Sequence, residues 1–435
     1  MSDNSVKSLF SFIKASPTAF HAVKNISEIL SKNGFSELSE SEKWTLSSGG
    51  KYFVTRNSSS VIAFCLQKNN FQKPRAFHLV ASHSDSPCFK IKENPEITSS
   101  GSVVLNVEKY GGMLLAPWFD RPLSLAGRII VREKNALKQL LVNIDRDLLL
   151  IPNLAIHFNR EANDGKKFDV QTELRPIFTM NDESANETSF LSLIAKTAGV
   201  KKDDIVSHDL FLYARSEPAL WGAKNEFISA PRLDDLECAF TTLQGFISAQ
   251  RDSSAESESD AGIPVYCVFD NEEVGSSSRQ GADSTFLSDT LTRLSEKLGW
   301  TGEELKISLS KSIMISADNA HALHPNYSTA SDPVNRPKIN GGIVIKYNAA
   351  QKYTTDALSS AFFKEICKNE SVPFQIFTNN SNIPGGSTLG NISQNHVSVA
   401  SLDIGLAQWA MHSPYESAGV KDIDFMIKAI KGFYK

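Results

Sequence analysis

Nothing in this sequence points to export, to a membrane or to nucleic acid. The five cysteines (Cys65, Cys88, Cys238, Cys267, Cys367) are an odd number, widely spaced, and never form Cys-x-x-Cys. That argues against a disulfide framework, and they read as reduced core residues of a cytosolic protein. Neither sign of charge dominates: the formal net charge is -4 and the basic residues are scattered, which argues against a nucleic-acid surface. No apolar run reaches the roughly 18 residues that a membrane-crossing helix needs. Residues 1–17 carry Asp3, Lys7 and Lys14 among short apolar pieces, so they lack the apolar core of a secretory signal. A Gly-x-Ser-x-Gly elbow and a His-Glu-x-x-His pair are also missing. The glycine-rich stretch 385–390 lacks the lysine of a phosphate loop and reads as a tight substrate-side loop.

What remains is an ordinary globular composition, 41% apolar and 22% charged, in a chain long enough for two domains. Helical spacing of Phe20, Val23, Ile26, Ile29 and Leu30 predicts an amphipathic helix over 17–32. Strands are expected at 52–55, 60–66 and 76–81. From about residue 92 to 228 the texture turns to short β-like pieces, such as 103–107 and 128–131, which marks an inserted β-rich domain. It divides the first domain into 1–91 and 229–435; within it, 181–188 resists assignment. After it, a helix is expected over 235–250. The Ser-, Glu- and Asp-rich stretch 251–262 then reads as a mobile loop and a tolerated insertion. Helices (283–298, 355–369, 422–433) then alternate with strands (312–317, 343–347, 374–378, 397–402). Such alternation predicts an α/β fold with a mostly parallel central sheet flanked by helices.

Two neighbouring carboxylates, Glu272 and Glu273, follow the apolar run 263–269. They are therefore expected at the C-terminal end of a buried strand, where α/β sheets bind ligands. On extended chain they would point different ways, one to hold a metal and one to stand over bound water. The competing reading is a solvated acidic turn. Other metal-type residues also trail apolar runs: His83 and Asp85 after 76–81, and Asp318 after 313–315. Asp234, before its helix, and His412 could complete a ring of composition suited to two borderline cations such as Zn²⁺. Asp85, two residues beyond His83, could orient its imidazole. Asp318, Asp234 and Asp235 could instead be helix caps. His321 and His324 read as polar residues near the site rather than principal ligands, and His78, His208 and His396 as structural.

Five motifs in register, namely His83-Ser84-Asp85-Ser86-Pro87, Arg232-Leu233-Asp234, Asp270-Asn271-Glu272-Glu273-Val274-Gly275-Ser276, Ser316-Ala317-Asp318-Asn319-Ala320-His321 and Met411-His412-Ser413, resemble the aspartyl aminopeptidase family of di-zinc metallopeptidases. The resemblance covers essentially the whole chain. It implies a zinc-peptidase type catalytic domain and an inserted dimerisation domain. It also implies two Zn²⁺, although Mn²⁺ and Co²⁺ suit the same donors. Asp234 would bridge them, Glu273 and His412 would complete one position, His83 and Asp318 the other, and Glu272 would be the general base with Asp85 assisting. Acidic N-terminal residues of peptides would be met by Lys346, with Tyr353 and His321 in the same substrate region. His157 would reach the site of a neighbouring subunit, which implies homo-oligomers, dimers and in many members dodecamers.

Two departures stand out. Ser413-Pro414-Tyr415-Glu416 replaces a Ser-Ile-Arg-Glu pattern, removing a basic group, and Asp235 stands where Asn is common. Two rival readings stay open: a di-metal deacylase on the same sheet, and an oligomeric scaffold whose catalysis has lapsed.

Overall fold

The computed structural model describes residues 2–67, 73–181, 189–252 and 262–435. The chain divides into two compact units. The first comprises Met1–Asp85, Pro218–Met411 and Glu416–Lys435, and the second Ser86–Glu217 with His412–Tyr415.

The first unit is built on a nine-stranded sheet. Its spatial order is Ser36–Leu38, Lys51–Arg56, Ser60–Cys65, Ile263–Phe269, Phe77–His83, Ile313–Ala317, Ala400–Gly405, Ile343–Tyr347, Phe374–Thr378. Five of the eight neighbour pairs are parallel and three antiparallel. The central strands are apolar on both faces because helices cover both. Along Ile263–Phe269 the side chains alternate: Tyr266 and Val268 join one core, Val265, Cys267 and Phe269 the other. The first core is closed by the helices Ser2–Ala15, Ala19–Lys32, Leu233–Asp252, Ala357–Asn369 and Val420–Phe433, the second by Phe286–Lys297 and its neighbours.

The helix Ser2–Ala15 adds to the elements expected from the sequence. Its Val6, Leu9, Phe12 and Ile13 are buried at helical spacing. The helix Gly302–Ser310, opened by a Thr301–Glu304 capping box, is a second addition to the expected elements.

A second, five-stranded sheet in this unit orders Ala219–Trp221, Phe227–Ala230, Glu416–Gly419, Ala407–Trp409, Ala320–His321. Because Phe227–Ala230 pairs with both Ala219–Trp221 and Glu416–Gly419, residues 218–228 fall in the first unit rather than in the inserted segment expected over 92–228. The strand Cys88–Ser99, split at residue 92 by sequence texture, lies wholly in the second unit.

That second unit is a six-stranded antiparallel sheet in the order Ala136–Asn143, Leu123–Glu133, Ile205–Ala214, Cys88–Ser99, Ser102–Tyr110, Ile177–Met180. The helix Phe190–Ala198 contributes Phe190 and Ile194 to its core. Residues 182–188 and 253–261, which hold most of the unassigned piece and most of the polar loop expected over 251–262, lie outside the described residues. No described helix is long and apolar enough to cross a membrane.

Candidate metal centre

Three adjacent parallel strands end on the same edge of the nine-stranded sheet. In register, Phe269 faces His83 and Ser316 faces Ala81, so the residues that follow Phe269 and Ala317 emerge beside His83. Asp234 arrives from the side, at the start of Leu233–Asp252, where the backbone is not yet helical. Donor atoms of His83, Asp234, Asp235 and Asp318 all lie within 4.8 Å of one another, as do those of His83, Glu272 and Glu273.

The imidazole of His83 is held by its inner nitrogen. Nδ1 lies 3.1 Å from the main-chain oxygen of Asp85 and 3.4 Å from its carboxylate. With Nδ1 as donor, Nε2 carries the lone pair, and it faces Asp234 Oδ1 at 3.3 Å and Asp318 Oδ1 at 3.9 Å. The peptide oxygen of Asp85, rather than its carboxylate, is thus the nearer partner of the ring.

The Asp85 carboxylate has another task. Its two oxygens accept the backbone N–H groups of Glu272 at 3.1 Å and Glu273 at 3.2 Å. The glutamates do not sit on extended chain as expected. Asn271 is left-handed (φ 64) and turns the chain into a 3-10 turn over Glu272–Val274, ended by left-handed Gly275. A tight turn exposes successive N–H groups on one side, and Asp85 caps two of them.

Asp234 and Asp235 are both buried. Asp234 N–H donates to Glu416 Oε2 at 3.0 Å, and Asp235 Oδ2 accepts the His83 N–H at 3.0 Å. Asp235 therefore braces the His83 strand rather than capping a helix. Asp318 runs beside the strand Ala400–Gly405, its N–H donating to Ile404 at 3.1 Å. A Cβ at Gly405 would fall 2.0 Å from the Asp318 carbonyl oxygen, so only glycine fits there.

The electrostatics favour a cation. Burial, joined by the surrounding carboxylates, pushes Glu272 up to about 8, raises Glu273 and Asp235 well above the usual carboxylate range, and raises Asp318 from its ordinary value. Burial opposes a charge on His83, yet Asp235, Asp234 and Asp85 outweigh it and raise its pKa. Lys346 is buried too, but Asp318, 3.4 Å from its Nζ, helps hold it protonated. Six carboxylates (Asp85, Asp234, Asp235, Glu272, Glu273, Asp318) against one lysine and one imidazole leave an excess of negative charge that divalent cations would neutralise. Imidazole nitrogen and carboxylate oxygen are the donors zinc takes, so the residues fit that metal.

Lys346 Nζ also donates to the Asn319 carbonyl at 2.8 Å and lies 5.4 Å from the ring of buried Tyr353. His321 is exposed at the end of Ala320–His321, its ring edge-on to Phe377. Within the second unit, His412 is left-handed (φ 67) with Nδ1 2.5 Å from the Gly112 carbonyl, and Tyr415 Oη donates to Glu217 O at 2.9 Å. His157 is exposed on a turn of that unit. In the stretch 385–390, Gly390 N–H donates to Ser316 Oγ at 3.1 Å, and Thr388 Oγ1 donates to buried Asp403 at 2.5 Å.

Sequence reading gave no role to Glu416 or Glu237. Glu416 was within reach, because it keeps the Glu of the Ser-Ile-Arg-Glu pattern four residues after His412, but its place beside Asp234 depends on the distant pairing of its strand with Phe227–Ala230. Glu237 left a trace: it is a carboxylate three residues after Asp234, set among the apolar Leu236, Ala239 and Phe240 of its helix, and it is fully buried.

Residues 12–434 match the family model of aminopeptidase I zinc metalloproteases, M18. A probable M18 family aminopeptidase 2 from Clostridium acetobutylicum is 44% identical over 432 residues, 98% of each chain. Among solved structures, one described as the cryo-EM structure of the Ape4 and Nbr1 complex has a TM-score of 0.96 at 37% identity, covering 100% of this chain and 86% of that one. The S. cerevesiae mApe1 dodecamer has a TM-score of 0.84 at 27% identity, covering 99% and 96%.

Proposed function

The chain belongs to the M18 family of zinc metalloproteases and is an aminopeptidase; we propose that it is a di-zinc enzyme that removes Asp or Glu from the N-terminus of peptides. His83 and Asp318 would hold one ion and Glu273 and His412 the other, with Asp234 shared between them, and Glu272 would serve as the base. One observation carries this reading: His83 is anchored through Nδ1, which leaves Nε2 directed at Asp234 and Asp318.

When bound, zinc polarises the scissile carbonyl and lowers the pKa of water towards ~7. Glu272 takes the proton of the attacking water and returns it to the leaving amine. Asp85 fixes both glutamate N–H groups, so their side chains leave the turn in set directions. The ammonium of Lys346, close to Tyr353, supplies positive charge for an acidic first residue, and His321 lies on the substrate side. His157 serves the site of a neighbouring copy, which makes activity depend on a homo-oligomer assembled through the inserted unit. The dodecameric relative supports that assembly. None of the five cysteines, all among the described residues, forms a disulfide, which supports a reducing, cytoplasmic setting.

Digestion of a peptide library scored by N-terminal residue, at several added metal ions, tests the proposal. Release of Asp and Glu ahead of neutral residues is expected. Preference for neutral residues would refute the role of Lys346, and cleavage of N-acyl amino acids but not free-amine peptides would mark a deacylase instead.

A further inference from the structure

Beneath the candidate metal centre lies a polar knot made of residues with no place in the chemistry above. Asn319 is buried and uses its whole amide: Nδ2 donates to Glu237 Oε2 at 2.9 Å and to Gln408 Oε1 at 2.9 Å, while Oδ1 accepts the Cys238 thiol at 2.9 Å. Its main-chain oxygen accepts from Lys346 Nζ at 2.8 Å. The same Nζ meets Asp318 Oδ2 at 3.4 Å, while Oδ1 of Asp318 faces His83. Glu237 and Asp234 share the helix Leu233–Asp252, and Gln408 comes from the five-stranded sheet. A buried amide satisfied from three directions has one available orientation, because each alternative strands a polar group at roughly 1–3 kcal/mol.

We propose that Asn319, clamped by Glu237, is a positioning residue that fixes the Lys346 ammonium on one oxygen of Asp318 and leaves the other for metal. Its orientation thereby sets both zinc retention at the His83–Asp318 position and KM for acidic peptides. The second consequence rests on the function proposed above; the first requires only that the site binds zinc.

The test compares the full-length wild type with Asn319→Leu, Glu237→Leu and Glu237→Gln. Zinc affinity is read by chelator competition, and KM and kcat on Asp- and Ala-peptides. Asn319→Leu and Glu237→Leu should bind zinc about 10-fold more weakly. They should also raise KM for the Asp-peptide about 10-fold while kcat moves less than about 3-fold. Glu237→Gln keeps an oxygen to accept from Asn319 and should stay within about 2-fold of wild type. If Asn319→Leu does not fold, the two Glu237 variants decide. Wild-type zinc affinity and KM in Glu237→Leu, or equal damage in Glu237→Gln, would overturn the proposal. Should the wild type show no acidic preference, the function proposed above falls, while the zinc-affinity ratio of the two Glu237 variants still decides the role of Asn319.

Discussion

Asp85 holds Glu272 through its backbone, accepting the glutamate N–H at 3.1 Å on one carboxylate oxygen while the other takes the N–H of the next residue. Its peptide oxygen meanwhile steadies His83. One residue thus couples the tips of two neighbouring strands, so its loss should disturb the proposed base and the imidazole proposed to hold metal together.

Asp85→Ala should lower kcat for an N-terminal Asp-peptide about 10- to 100-fold, the range typical of removing groups that orient metal-site residues. Asp85→Asn keeps one acceptor oxygen and should lose less. Steady-state kinetics on variants whose melting curves match wild type would check both.

Glu416 is buried and accepts the Asp234 N–H at 3.0 Å. Glu416→Ala should leave Asp234 poorly fixed and weaken zinc binding about 10-fold. Elemental analysis after dialysis against a weak chelator reads this directly; wild-type zinc retention would show that Asp234 needs no such support.

At Gly405 a methyl group would meet the Asp318 carbonyl, a backbone atom that cannot rotate aside. Gly405→Ala should destabilise the protein by roughly 1–3 kcal/mol, as overpacking does, and reduce turnover by shifting Asp318. Urea unfolding paired with kinetics would separate the two effects.

His21 is buried, with Nδ1 2.9 Å from Thr18 Oγ1, and burial together with Lys24 and Arg232 lowers its pKa from 6.5 to about 4. Between those values the unfolded chain binds a proton that the folded one refuses. Stability from this group is therefore present above pH 6.5 and lost as pH falls towards 4, by roughly 2 kcal/mol between pH 7 and pH 5. The urea midpoint of His21→Gln should fall less over that interval than that of wild type.

Much of the fold was legible because a strand buried on both faces must be an apolar run, and the polar residues after it mark the ligand end of the sheet. The runs before His83, Glu272 and Asp318 show this. Strand order was not legible: Ile263–Phe269 inserts between Ser60–Cys65 and Phe77–His83, a choice made by packing across some 180 residues of chain. The turn at Glu272 escaped because it depends on a left-handed Asn271 and on distant Asp85. For Asp235 the sequence leaves a helix cap and a place beside the metal side by side, because its partner, the His83 N–H, lies 152 residues away.

The central claim, that Glu272 serves as base beside protein-held zinc, is tested most directly by measuring zinc content and Asp-peptide turnover of Glu272→Gln together. The account predicts two zinc ions per chain, as in wild type, with kcat reduced about 10²- to 10⁴-fold. Unchanged turnover with zinc in place would contradict it.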